Sequence, residues 1–223
     1  MKTVLVIAPH PDDETLGCGG TLLKHKARGD AIHWLIVTSI KQENGFEKTA
    51  VETRKKEIRA VSGMYRFDGV HPLDFPTTRV DEIPIISLVS GINDVLQKIK
   101  PNIVYLPFQN DVHTDHQTVF KAAYSCTKSF RSPSTEKIAM MEIVSETEFV
   151  PATQTNTFTP NMFVDISDFI DRKIAIMSIY KGEMGEHPFP RSEKNIRALA
   201  TLRGATAGCE YAEAFMIVKE IDR

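Results

Sequence analysis

Two short stretches concentrate the reactive side chains. "PHPDDE", residues 9–14, carries one imidazole and three carboxyls. "NDVHTDH", residues 110–116, adds Asp111, His113, Asp115 and His116. Charged groups beside apolar sequence are costly to desolvate unless they are paired or bind a metal. The pooled inventory is His10, Asp12, Asp13, His113, Asp115 and His116. Two imidazoles and a carboxylate, with one coordination position left open, form a catalytic type of zinc site. Fe2+ or another divalent ion suits the same donors. No cysteine falls inside either stretch, which disfavours a closed structural cysteine site. An acid outside the ligand set is then free to act as general base toward water. Residue type alone does not separate Asp12 from Asp13. Adjacent acids point differently, so one can ligate while the other stays free.

The elements that must position these groups follow from periodicity. TVLVIA, Thr3–Ala8, is a continuous β-branched run and reads as a buried strand. The pattern then predicts helix 15–28, strand 31–38, helix 48–62 stopped at Gly63, strand 70–75, helix 83–100 ended by Pro101, strand 103–107 and helix 115–127. This alternation implies right-handed βαβ units. Strands at 137–144, 161–166 and 212–219 and helices at 167–180 and 193–203 complete one domain, 1–223. The predicted fold is a Rossmann-like three-layer α/β/α sandwich with a mostly parallel sheet. In such sheets ligands collect outside the carboxyl ends of the strands. The usual order sets the first and fourth strands side by side, which would place the two stretches across one crevice.

Bulk properties narrow the function. A net charge of −2 with no long basic run gives no electrostatic case for nucleic acid or an anionic membrane. Cys18, Cys126 and Cys209 are odd in number and widely spaced, which fits a reducing compartment rather than a disulfide framework. No stretch has the length of a membrane span, and the first apolar run is too short for a signal-peptide core. The expectation is a cytoplasmic protein acting on a small molecule. A homo-oligomer is compatible with the sequence and not specified by it.

PHPDDE followed by HTDH resembles the PIG-L/LmbE family of metal-dependent N-acetylglucosaminyl deacetylases. GCGGT after the first motif, RKKE on the second helix and RGATAGCEYAEAF near the end extend the resemblance along the chain. It implies that His10, Asp13 and His116 bind zinc and that Asp12 is the general base. It also implies that a protonated His113 faces the developing oxyanion, with Asp115 orienting it. Asp115 would then raise the His113 pKa, since an opposite charge favours the charged form. Arg54 would reach a sugar or phosphate oxygen, where the helix alone makes it a solvated side chain. The loop EMGEHPFPRS, with His187 and Arg191, either lines the crevice or is ordinary surface. The implied substrate is an N-acetylated amino sugar or its conjugate, with acetate released.

Plainer readings stand beside these. Glu14 fits a charge complementing a helix dipole and is left out of the site. Gly17-Cys18-Gly19-Gly20 lacks phosphate-loop spacing and suits close helix packing or backbone approach to substrate. Glu213 either contacts substrate or caps the sheet. Two rival functions remain: an amidase for another amide such as a thiol conjugate, and a non-catalytic sugar- or nucleotide-binding module. A free acid beside an open metal speaks against the second, since binding alone does not need it.

Overall fold

A computed structural model describes residues 1–222. The strands are β1 (Thr3–Ala8), β2 (Ala31–Ser39), β3 (Gly69–Pro76), β4 (Ile103–Leu106), β5 (Lys137–Met141), β6 (Met162–Asp165) and β7 (Ala212–Glu220). The helices are α1 (Asp13–Ala27), α2 (Lys48–Tyr65), α3 (Ile85–Ile99), α4 (Thr114–Cys126), α5 (Ile170–Met177) and α6 (Glu193–Ala207). The sheet runs β3-β2-β1-β4-β5-β7-β6. Its first five strands are parallel, and β7 runs antiparallel to both β5 and β6.

β1 shows why the sequence folds this way. Its side chains alternate between two apolar layers, so every position must be hydrophobic. Val4, Val6 and Ala8 pack with Leu16, Leu22, Val61, Ile174 and Ile196 from α1, α2, α5 and α6. Leu5 and Ile7 pack on the opposite face with Leu88, Ile92, Val119 and Phe120 from α3 and α4. β1 pairs with both β2 and β4, so the expected adjacency of the first and fourth strands is present.

Several boundaries differ from expectation. α2 runs through Gly63 to Tyr65 and is ended by Arg66 in the left-handed region at φ 57°. A single glycine costs a helix only about 1 kcal/mol, less than the packing of Val61 and Tyr65 returns. α3 starts after Pro84 rather than at Ile83. β5 stops at Met141, and α5 occupies only the middle of the expected 167–180 span. The glycines after the first motif do pack closely: a Cβ on Gly20 would lie 2.7 Å from the Ile166 side chain, and one on Gly17 would lie 2.9 Å from Met141.

Candidate active site

β1 and β4 end side by side, so residues 9–13 and the turn into α4 face each other. A cavity of about 220 Å³ opens there, lined by His10, Asp12, Asp13, Leu16, Thr77, His113, Ser145, Glu146 and Arg191. Donor atoms of His10, Asp13 and His116 lie within 4.8 Å of one another. Asp13 is at the centre: its Oδ2 is 3.5 Å from His10 Nδ1 and 3.3 Å from His116 Nε2. The same oxygen accepts the His10 backbone N–H at 2.8 Å, which fixes the turn.

The outer atoms of both rings are already engaged. His116 Nδ1 meets Asp111 Oδ2 at 2.9 Å, and Asp111 Oδ1 accepts the Thr147 hydroxyl at 2.7 Å. His10 Nε2 meets Asp115 Oδ2 at 2.9 Å. Carboxylates placed behind imidazoles are how proteins fix the tautomer of a metal-binding histidine. His116 Nε2 is buried with no hydrogen-bond partner, an arrangement that is costly unless the atom has a ligand. Burial opposes charge on both histidines, but the facing carboxylates outweigh it and raise His10 to about 9 and His116 well above its ordinary value. Burial also opposes charge on Asp13, yet the two imidazoles hold it below the usual carboxylate range. The pocket is thus built around positive charge, and this donor set fits a divalent metal.

Asp12 lies beside the cluster with a different neighbourhood. Its φ of 140° and ψ of −27° are rare for a non-glycine residue. That turn aims Asp12 and Asp13 differently, which residue types alone left open. Arg191 Nη1 stands 3.3 Å from Asp12 Oδ2. Burial and the Asp13 and Glu183 carboxylates push the Asp12 carboxyl well above its ordinary range.

Glu14, left out of the site on sequence, is fully buried and holds the Asp12 turn. Its Oε2 accepts the Asp12 N–H at 3.0 Å, while Oε1 accepts the Thr15 hydroxyl at 2.6 Å and the Tyr180 hydroxyl at 2.8 Å. Burial raises it to about 7. Only its place inside PHPDDE hinted at this; its partner Tyr180 is 166 positions away.

The relation expected between His113 and Asp115 is different in the structure. The Asp115 carboxylate takes His10 and the backbone N–H groups of Thr78 (2.7 Å) and Val80 (3.1 Å). It is the Asp115 backbone N–H that meets His113, donating to Nδ1 at 3.1 Å. Burial and the nearby His10 and His116 rings lower the His113 pKa, against the pull of Asp115. Where the resemblance implied a His113 oriented and charged by the Asp115 carboxylate, the ring is instead held at Nδ1 by the Asp115 backbone N–H, in surroundings that disfavour its charge.

The remaining expected residues separate. Arg191 lines the cavity. Arg54 does not: it donates to the Pro11 carbonyl at 2.9 Å, pairs with Glu183 and sits over the Tyr180 ring. It buttresses the first motif from behind. His187 is exposed and is not among the lining residues. Glu213 neither caps the sheet nor faces the cavity. It is buried, accepting from the Gly20 and Thr21 backbone N–H groups, the Thr21 hydroxyl and Lys173. Ser145, Glu146 and Thr77 carried no sequence signal, because they lie in irregular segments that only the tertiary fold brings to the cavity.

The chain is similar to known proteins over much of its length. The family model described as PIG-L, GlcNAc-PI de-N-acetylase, matches residues 5–127, more than half of the chain and inclusive of both motifs. A diacetylchitobiose deacetylase from Thermococcus kodakarensis is 27% identical over 99% of this chain and 85% of its own. A conserved protein from Thermus thermophilus superposes with a TM-score of 0.77 at 28% identity, covering 100% of this chain and 97% of its own. An N,N'-diacetylchitobiose deacetylase from Pyrococcus horikoshii, at 22% identity, shares the fold with a TM-score of 0.76 over 98% of this chain and 84% of its own.

Proposed function

The chain belongs to the PIG-L family, and on that footing we propose that it is a metal-dependent N-deacetylase that hydrolyses the acetamide of an N-acetylated amino sugar. The observation that carries this reading is the convergence of His10 Nδ1, Asp13 and His116 Nε2 with Asp12 beside them and outside the ligand set. His10, Asp13 and His116 would hold the metal, with zinc the ion best matched to two imidazoles and one carboxylate. When bound, such a metal acts as a Lewis acid on a carbonyl and makes water nucleophilic near neutral pH.

The protein groups divide the proton work. Asp12 takes a proton as water adds to the acetamide carbon, and its raised proton affinity suits that task. The C–N bond then breaks, and the same proton passes from Asp12 to the leaving amine. Acetate and a free amino sugar result. With Nδ1 accepting the Asp115 N–H, His113 directs Nε2–H to the oxygen on which negative charge develops. Arg191 holds Asp12 in place and offers a donor at the cavity wall.

The test measures metal content and acetate release from N,N'-diacetylchitobiose and N-acetylglucosamine. Chelation should abolish release, and added Zn2+ should restore it. A metal-free protein that still turns over would overturn the reading. Acetate release from neither sugar would move the assignment to another amide.

A further inference from the structure

Three unfavourable features fall on two adjacent residues of the cavity wall. Ser145 has φ 77°, in the left-handed region that favours glycine. Its Oγ is buried and has no hydrogen-bond partner. Glu146 is partly buried, and its carboxylate forms no hydrogen bond or ion pair among the described residues. Strained backbone and unsatisfied polar groups persist where the surrounding structure enforces them, and they cluster at ligand sites.

The surrounding structure does enforce them. The Ser145 N–H donates to Glu148 Oε1 at 2.7 Å, and Val112 N–H reaches the Glu146 carbonyl. Thr147, the next residue, accepts the Ile143 N–H at 3.0 Å and donates to Asp111 Oδ1, the carboxylate behind His116. The dipeptide is thus tied through two hydrogen bonds to the metal cluster. Its distance from a bound acetamide is fixed by the same Asp111 that orients a ligand.

We propose that Ser145 and Glu146 form a hydroxyl-binding subsite that grips the sugar ring while its acetamide lies at the His10–Asp13–His116 cluster. This rests on the reading of the substrate as an N-acetylated sugar. The Glu146 carboxylate faces the His10 and His116 rings only at longer range and has no hydrogen-bond partner among the described residues, so it accepts O–H donors, and a ring hydroxyl next to the acetamide-bearing carbon supplies them. The Ser145 hydroxyl completes its own bonding with a second ring oxygen. The pair selects a neutral polyhydroxyl ring and opposes an anionic substituent at the same position, because two negative charges would meet in a half-buried wall.

The experiment titrates N-acetylglucosamine and its 3-, 4- and 6-deoxy analogues into the metal-loaded protein by calorimetry, alongside acetate release. Glu146→Ala and Glu146→Gln should weaken N-acetylglucosamine binding by about 10- to 100-fold, the range for a hydrogen bond to a charged group. That loss should vanish for the one analogue lacking the gripped hydroxyl. Ser145→Gly should weaken binding as well while holding or raising Tm, since glycine relieves the backbone. Variants that bind like the parent, or that weaken all analogues equally, overturn the subsite. Normal acetate release with unaffected variant binding leaves the deacetylase reading intact and removes only the subsite. The expected binding pattern without acetate release does the reverse. A parent protein that binds none of these sugars removes the subsite too.

Discussion

At the scale of single residues, the two adjacent acids of the first motif differ in their surroundings. Asp12 and Asp13 are chemically equal in the chain. The Asp12 backbone angles and the contacts of Asp13 with two imidazoles make them unequal. Asp12→Asn should therefore keep the metal and lose about 10²–10⁴-fold in kcat, the contribution of a positioned base. Metal analysis beside steady-state kinetics separates this from His116→Ala, which should lose metal and activity together. Asp111→Asn, at a residue outside the proposed ligand set, should lower metal affinity about 10- to 100-fold through its hydrogen bond to His116. A competitive chelator titration measures it. Glu14 escaped the sequence reading because an acid at a helix start has an ordinary explanation. Its hydrogen bonds to Tyr180 and to the Asp12 N–H exist only after folding.

At the scale of elements, apolar periodicity made the seven strands and six α-helices of the described residues legible, because each must present a face to an apolar layer. Helix ends were less legible. Gly63 and Arg66 illustrate the reason: tertiary packing decides whether a weak stop is obeyed. The glycines of α1 carry a clearer message. Gly20→Ala would drive a methyl to 2.7 Å from Ile166, and such overpacking costs about 1–3 kcal/mol. Thermal unfolding should show the drop. The Lys173–Glu213 pair, 2.7 Å apart and buried on both sides, was invisible in sequence because its partners come from α5 and β7. Lys173→Met leaves a buried carboxylate without its cation and should cost about 3–5 kcal/mol in a denaturant titration.

At the scale of the whole molecule, pH reaches stability through histidines far from the cavity. Burial lowers His25, against the pull of Asp30. Burial also lowers His33 and His71, and their rings, 3.3 Å apart at Nδ1 and Nε2, share one proton poorly with a second. The unfolded chain binds these protons near pH 6.5, before the folded one does. Their stabilisation is therefore present above about pH 6.5 and is lost as pH falls through the folded values. As pH falls below about 6.5, His33→Gln should lose less stability than the parent, read as the difference between their unfolding midpoints. No described helix is long and apolar enough to cross a membrane.

The clamp of Glu213 on the Gly20 and Thr21 amides also bears on how the protein is made. Translation delivers both motifs about a hundred residues or more before the clamping carboxylate. A nascent chain that stops before Ala212 holds every proposed metal ligand, yet lacks the strand between β5 and β6 and the acid that seats α1. Ribosome-stalled chains of that length should remain protease-sensitive and bind no metal, and both properties should change once β7 clears the exit tunnel. The cavity, whose proposed metal ligands all precede residue 117, would then mature only after β7 is made.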